Sequence, residues 1–417
     1  MSRLHLNGVQ FYDWLYRHDT PVPPGDWFVD SMGRHLRVET IRRKIGLARE
    51  FGMVPMAYVA VYAASPAFYA KHQQWGLYDR TGSPIDFGDG YLFLMDPSRG
   101  AGWDAHLLGE FRNTLECFHF AGIHIDQYGY PKVAYDAQGG AIVLASAFRT
   151  FINDTKSTLS EVDNTRDYVT FNSVANWPAA IVAESTYDFN YVEVWPPYSS
   201  YGDIERIIQS AYENSGGKAT VIAAYVDAQE EATVRLLDAV IFAHGGTHIE
   251  MGEGDRMLVD PYFPKAQQVS ASLWKSLVSY YDFIVRYKEW LYGDREPVAA
   301  CECVLLDGEA AGPRPVPGRV HAICYRLRDQ GQYVLSLINF TGANSEQWKA
   351  AQPKPEYIDR VEVTMTIDHK PEGIWVASPD KPSLRAVPIP FTVTSDSERI
   401  TVQFSIDLSY WSVILFE

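Results

Sequence analysis

Six acidic side chains stand where apolar runs of this chain turn polar: Asp13, Asp96, Asp126, Glu193, Asp227 and Glu250. Tyr62 and Asn172 hold the matching places in two further runs. An acid there can cap the next helix, bind an oxygen-seeking metal ion or exchange protons with a substrate. Six acids gathered at one mouth would repel one another unless some are protonated or bound to hydroxyls or metal. Cleaving a glycosidic bond uses such a group. One carboxyl protonates the leaving oxygen, and a second, held in a different environment, attacks or assists at the anomeric carbon. Aromatic residues crowd the same places. FYDWLYRHD (11–19) carries Tyr12, Trp14, Tyr16 and His18, Tyr128 and Tyr130 follow Asp126, and Trp195, Tyr198 and Tyr201 follow Glu193. Flat side chains cover the apolar C–H faces of sugars, although at 14 % aromatic content many of them must serve the core.

For the acids to meet, the runs that carry them must be strands of one sheet. Eight runs qualify, at 5–14, 53–62, 90–98, 122–126, 168–174, 189–195, 219–227 and 247–254. Helical patterns lie between them. Val38, Ile41, Ile45 and Ala48 form one face of a helix over 37–51 that stops at Gly52, and Leu107, Phe111, Leu115 and Phe118 mark another that Gly122 ends. Further helices are expected at 201–214 and 229–243, with a long one at 265–291. Near-continuous apolar runs such as VIAAYV suit a parallel sheet buried on both faces. Eight βα units over residues 1–295 predict an α/β fold, a (β/α)8 TIM barrel with its chemistry at the C-terminal strand ends. The rival, an open doubly wound sheet, usually brings a glycine-rich dinucleotide fingerprint, and none is present.

After residue 295 the pattern becomes short strands with turns between them. Val361, Val363, Met365 and Ile367 alternate, as do Ile400, Val402, Phe404 and Ile406, so 296–417 is expected to be an antiparallel β-sandwich. The stretch 307–318 reads as a loop.

By position alone Asp126, ending the fourth strand, and Glu193, ending the sixth, are the pair best placed to flank one bond. The short aspartate suits attack from the wall, and the longer glutamate suits reaching the leaving oxygen. A metal-dependent barrel enzyme is the third possibility after hydrolysis and transfer. Its candidate bases His244, His248 and Lys132 are scattered, and HGGTH lacks the H-E-x-x-H spacing. A non-catalytic glucan-binding protein is a fourth. No cofactor is expected.

With 36 Lys and Arg against 52 Asp and Glu, the formal charge is −16, a field that repels nucleic acid and anionic membranes and leaves neutral substrates indifferent. No run approaches the roughly 20 apolar residues that span a bilayer. The start, MSRLHLNGVQFYDW, shows no basic region followed by an apolar core, so no export signal is visible there. Cys117, Cys301, Cys303 and Cys324 have no metal-finger spacing and read as reduced thiols without a role.

The motifs FYDWLYRHDTPVP, MAYVAVYAA, GIHIDQYG and YVEVW resemble, in that order, those of glycoside hydrolase family 66, the dextranases and cycloisomaltooligosaccharide glucanotransferases. The resemblance implies a retaining enzyme that cleaves α-1,6-glucan internally through a covalent glycosyl-enzyme. It puts the nucleophile on Asp126 and the acid/base on Glu193, the residues that strand position selects. It also implies an α-glucan partner, held by a set comprising Asp13, Tyr16, His18, Tyr62, Asp96, Gln127, Tyr128, Asn172, Trp195, Asp227 and Glu250. Family members usually carry a β-sandwich and an export signal before the barrel, and are secreted. The glucanotransferases also carry a carbohydrate-binding module inserted in the barrel. No loop here is long enough for that module, which favours hydrolysis over making cyclic or longer isomaltooligosaccharides.

Overall fold

The computed structural model describes all residues except 299–300, 306–311, 313 and 396–399. Half of the expected loop 307–318, and the side chains of Cys301 and Cys303, lie outside the described residues.

Seven strands form one parallel sheet in sequence order: β1 (Gly8–Phe11), β2 (Val54–Ala60), β3 (Gly122–Asp126), β4 (Tyr168–Val174), β5 (Asn190–Glu193), β6 (Thr220–Ala223) and β7 (Gly246–His248). Strands that run the same way need a crossover between them, and helices supply it. These are α1 (Val38–Glu50), α2 (Trp103–Cys117), α3 (Leu144–Asp163), α4 (Tyr201–Asn214) and α5 (Glu231–Ala243), with only the short helical turn Ala179–Val182 between β4 and β5, and α6 (Ala271–Arg286) follows β7. The expected stripe of α1, Val38, Ile41, Ile45 and Ala48, is its buried face, and Gly52 follows at φ 74°, where a side chain would be strained. The expected helix 265–291 is shorter, ending at Arg286 before a separate turn at Lys288–Tyr292. Gly122 starts β3 rather than ending α2. A Cβ there would collide with the Tyr168 carbonyl of β4, so the two strands can approach only at a glycine.

The eight-strand count needs correcting. The run 90–98 contributes only Leu92–Leu94, which pairs antiparallel with Ala63–Ala64 and with Asp86–Phe87 in a small sheet of its own. A short apolar run bounded by Gly90 and Pro97 fits a buried strand of either kind, and periodicity carries no information about its partner. Among the described residues no ladder joins β7 to β1, so the fold is a mixed α/β one with a parallel sheet and several antiparallel sheets. Side chains bring the two edges together instead. Arg3 and His5 reach Asp282 of α6 at 3.2 and 2.7 Å, and Lys44 of α1 reaches Glu253, beyond β7, at 2.5 Å.

The C-terminal part is built of two antiparallel sheets. One sheet has the order β8 (Arg295–Pro297), β10 (Val320–Leu327), β11 (Tyr333–Asn339), β17 (Trp411–Phe416), β13 (Ile374–Ala377) and β14 (Val387–Pro388). The other runs β9 (Cys301–Leu305), β12 (Ile358–Ile367), β16 (Ile400–Leu408) and β15 (Phe391–Ser395). Every ladder is antiparallel, and the alternating residues of β12 and β16 pack with Leu335, Leu337 and Ile414 between the sheets. The first sheet also packs outward on the helices. Trp411 is buried against Phe283 of α6, ring centres 5.1 Å apart, and one continuous core runs from β5 and β6 through α4–α6 into β11 and β17. Among the described residues no helix is long and apolar enough to cross a membrane.

Candidate active site

Asp126 is the last residue of β3 and Glu193 the last of β5. β4 lies between them and supplies the link. The side-chain amide of Asn172 donates to Asp126 Oδ1 at 2.8 Å and to Glu193 Oε2 at 3.0 Å. The two hydrogens of a planar amide nitrogen diverge by about 120°, so the oxygens they reach sit roughly 5 Å apart. That lies in the range of about 5–5.5 Å used by retaining carboxyl pairs and short of the roughly 6.5–9.5 Å that leaves room for a water in inverting ones.

Two tyrosines complete the frame. Tyr58 on β2 donates to the second Asp126 oxygen at 2.5 Å, and Tyr225, just beyond β6, donates to Glu193 Oε1 at 2.9 Å. Tyr12 lies against Tyr58, ring centres 4.4 Å apart, and His124 and Tyr191 sit one step deeper with rings 4.5 Å apart. All of these follow from strand alternation. His124 stands two residues before Asp126, Tyr191 two before Glu193, and Tyr58 pairs in register with His124. Tyr58, Tyr191, Tyr225 and His124 were not among the sequence candidates, which came only from strand ends. Extending the period of two inward from each strand-end candidate, Tyr62 included, would have found them.

Electrostatics sets the pair apart from the other acids. Burial pushes Asp126 up to about 7 and the charge of Glu193 adds to this, while the donors Tyr58 and Asn172 oppose it. Burial also raises Glu193, against Asn172, Tyr225 and the Trp195 indole. Two raised carboxyls this close lose their protons in two separate steps that belong to the pair. The surrounding phenols are raised too, chiefly by burial, and stay protonated donors.

The remaining candidates divide. Trp195 is half-buried beside Glu193, its ring 6.0 Å from Tyr225, and half-buried Tyr128 stacks on Phe87 at 4.4 Å. His18 is neutral, lowered by burial to about 4, and its Nδ1 accepts from the Ala60 amide at the end of β2. Several others are corrected. Tyr62 is fully buried and braces the loop after β3, donating to the Tyr130 carbonyl and accepting from the Tyr128 amide. Gln127 is buried and spends its amide on the carbonyls of Asn172 and Trp177 and on the Gly129 amide. Both side chains are buried, and their polar groups are engaged within the protein. Asp96 follows the antiparallel strand Leu92–Leu94 and accepts from the Ser98 amide. Asp227 is exposed and caps the turn into α5 through the Gln229 amide. Glu250 turns into a buried group with Asp238, His248 and Tyr281, which accounts for its own rise to about 8. Asp13 faces Lys44 in a groove with Trp27 and His35, and Tyr16 packs under Arg17 and against Phe28. The six acids therefore do not share one mouth. A strand end specifies where a side chain leaves the sheet, and loop geometry beyond it decides where the side chain goes.

The model of glycosyl hydrolase family 66 matches residues 1–415. Two cycloisomaltooligosaccharide glucanotransferases of Niallia circulans are 24 % and 23 % identical over 98 % of this chain, which spans 58 % of their length. In fold, the chain is similar to a cycloisomaltooligosaccharide glucanotransferase of Paenibacillus sp. solved with cycloisomaltoheptaose, with a TM-score of 0.91 at 22 % identity over 98 % of this chain and 80 % of that one. An Anoxybacillus α-amylase is more distant, with a TM-score of 0.59 at 11 % identity over 99 % and 87 % of the two chains. The chain belongs to glycosyl hydrolase family 66.

Proposed function

We propose that this chain is a retaining enzyme on α-1,6-linked glucan, transferring glucosyl units through a covalent intermediate on Asp126, with Glu193 as acid and base. The carrying observation is the Asn172 amide bound to one oxygen of each carboxyl. Asp126 Oδ attacks the anomeric carbon as Glu193 gives its proton to the departing glycosidic oxygen. Glu193, now ionised, takes the proton of an incoming hydroxyl, whose oxygen displaces Asp126 and restores both groups. A sugar hydroxyl gives transfer and water gives hydrolysis. The partly exposed rings of Trp195 and Tyr128 stack on the sugars flanking the cut. The parallel sheet is a barrel whose β1 and β7 edges are closed by side chains.

Both curated relatives carry the name of a glucanotransferase, which supports transfer, to cyclic or longer isomaltooligosaccharides, as the main activity. Hydrolysis is the second reading, favoured by one observation. The alignments span 567 and 568 positions against 417 residues here, so the relatives have internal stretches this chain lacks, and a glucan chain has less surface to hold it for return attack. The test is product analysis on dextran and on concentrated isomaltooligosaccharides. Cyclic or lengthened products mean transfer, short linear ones mean hydrolysis, and no cleavage of either substrate overturns the glucan assignment.

A further inference from the structure

We propose that Glu205, His244 and His321 form a binding site for a divalent transition metal of the zinc class, placed where the parallel-sheet half meets the C-terminal sandwich. Glu205 lies on α4, His244 follows the last turn of α5 and His321 is the second residue of β10. One donor atom from each lies within 4.8 Å of the other two. Both imidazoles are deeply buried, His244 4 % and His321 1 % exposed. Each ring has one nitrogen engaged from outside: His244 Nδ1 with the Tyr325 hydroxyl at 2.9 Å, and His321 Nδ1 with the Gly312 carbonyl at 3.4 Å. The other nitrogen, Nε2, is buried and without a hydrogen-bond partner in both rings.

Leaving two buried ring nitrogens unsatisfied is costly, and a protein avoids it unless something else fills the role. Metal-binding histidines have this form: the outer nitrogen is held by an oxygen and the inner one points to the ion. Two imidazoles with a carboxylate are a three-ligand zinc set that leaves a fourth position for water. Ligand atoms around tetrahedral zinc lie roughly 3.3 Å apart, so closing the triangle needs only small side-chain rotations. Glu205 is half-buried, which leaves a route for the ion. Arg295 stands nearby, but its guanidinium is committed to the carbonyls of Leu291 and His244 and to the face of Tyr325. A second buried cluster, Asp238, His248 and Glu250, lacks the same feature. His248 uses both nitrogens, on Asp238 at 2.8 Å and on the Ala224 carbonyl at 2.9 Å, and has none left for an ion. The three proposed ligands come from sequence positions too far apart for any spacing rule, so a sequence reading that expected no metal had no signal to find. Bound metal would tie α4 and α5 to β10.

The test uses the full chain, untagged, stripped by chelator and titrated calorimetrically with Zn²⁺. Expected are saturation at one equivalent, a higher melting temperature with metal, and, with Co²⁺, visible absorption of a tetrahedral site. Tyr325→Phe, which removes only the outer partner of His244, should weaken affinity about 10–100-fold, and Glu205→Gln at least as much. Both variants should melt like wild type without metal. No saturable binding, or binding unchanged in both variants, overturns the proposal.

Discussion

Asp126 and Glu193 are held at a cost that has a direction in pH. In water Asp126 would titrate at its ordinary 3.8, and in the fold it is raised to about 7. A carboxyl raised on folding favours the folded state only while protonated. The penalty is absent below about pH 4, grows as pH climbs and is complete above about 7. Removing the charge should therefore stabilise the protein while abolishing turnover. Asp126→Asn is expected to melt higher than wild type at pH 8, by about 2–4 °C for each kcal/mol recovered, with the gap closing at pH 4. Equal melting temperatures at pH 8, measured by calorimetry, would mean that the pair carries no buried charge. The same trade of stability for activity explains why Tyr58, Asn172 and Tyr225 all donate to these carboxyls.

At the scale of elements, the spacing of the carboxyls is a property of three adjacent strands. β3 and β5 do not touch, so the separation of their ends is set by the width of β4 and by Asn172 on it. Asn172→Ala removes a donor from each carboxyl, and a hydrogen bond to a charged group contributes about 1.5–3 kcal/mol. The expected result is a fall in kcat of about 10–100-fold. Because the lost donor favoured ionisation of both groups, both limbs of the pH–rate profile should move to higher pH. A slower enzyme with an unshifted profile would show that the amide only packs. Sequence periodicity placed all three strands and the stripe of α1, since burial on a sheet or helix face repeats every two or 3.6 residues. It misplaced Leu92–Leu94, because pairing partners are chosen by long-range contacts that a local pattern does not encode.

Across the whole molecule the two halves are joined by a buried ion pair as well as by a shared core. Arg235 of α5 reaches Asp380 at 2.8 Å and lies 3.6 Å from the Tyr410 ring. Asp380 also accepts from the Tyr280 hydroxyl and from the amides of Tyr410 and Trp411. Asp380→Ala leaves two amides without their acceptor and Arg235 with only its 3.3 Å contact to Glu231, at a cost of about 1–3 kcal/mol. Urea unfolding of this variant should show one transition, as in wild type, at a lower midpoint, because the core between α5, α6 and β17 leaves no half able to unfold alone. Two separated transitions in the wild type would contradict that shared core.

The amino-acid sequence determined most of the strands and helices, the short alternating strands after residue 295, the acidic field, and the proposal of Asp126 and Glu193, because each rests on local periodicity, composition or a short motif. Tertiary structure alone decided that seven strands share the parallel sheet, that Asp96, Asp227 and Glu250 leave the site while Tyr58, Tyr191 and Tyr225 enter it, and that Glu205, His244 and His321 meet at the junction. These depend on which distant backbone segments lie side by side and which way loops turn side chains after a strand ends. Both are settled by packing the whole chain, not by any window of it.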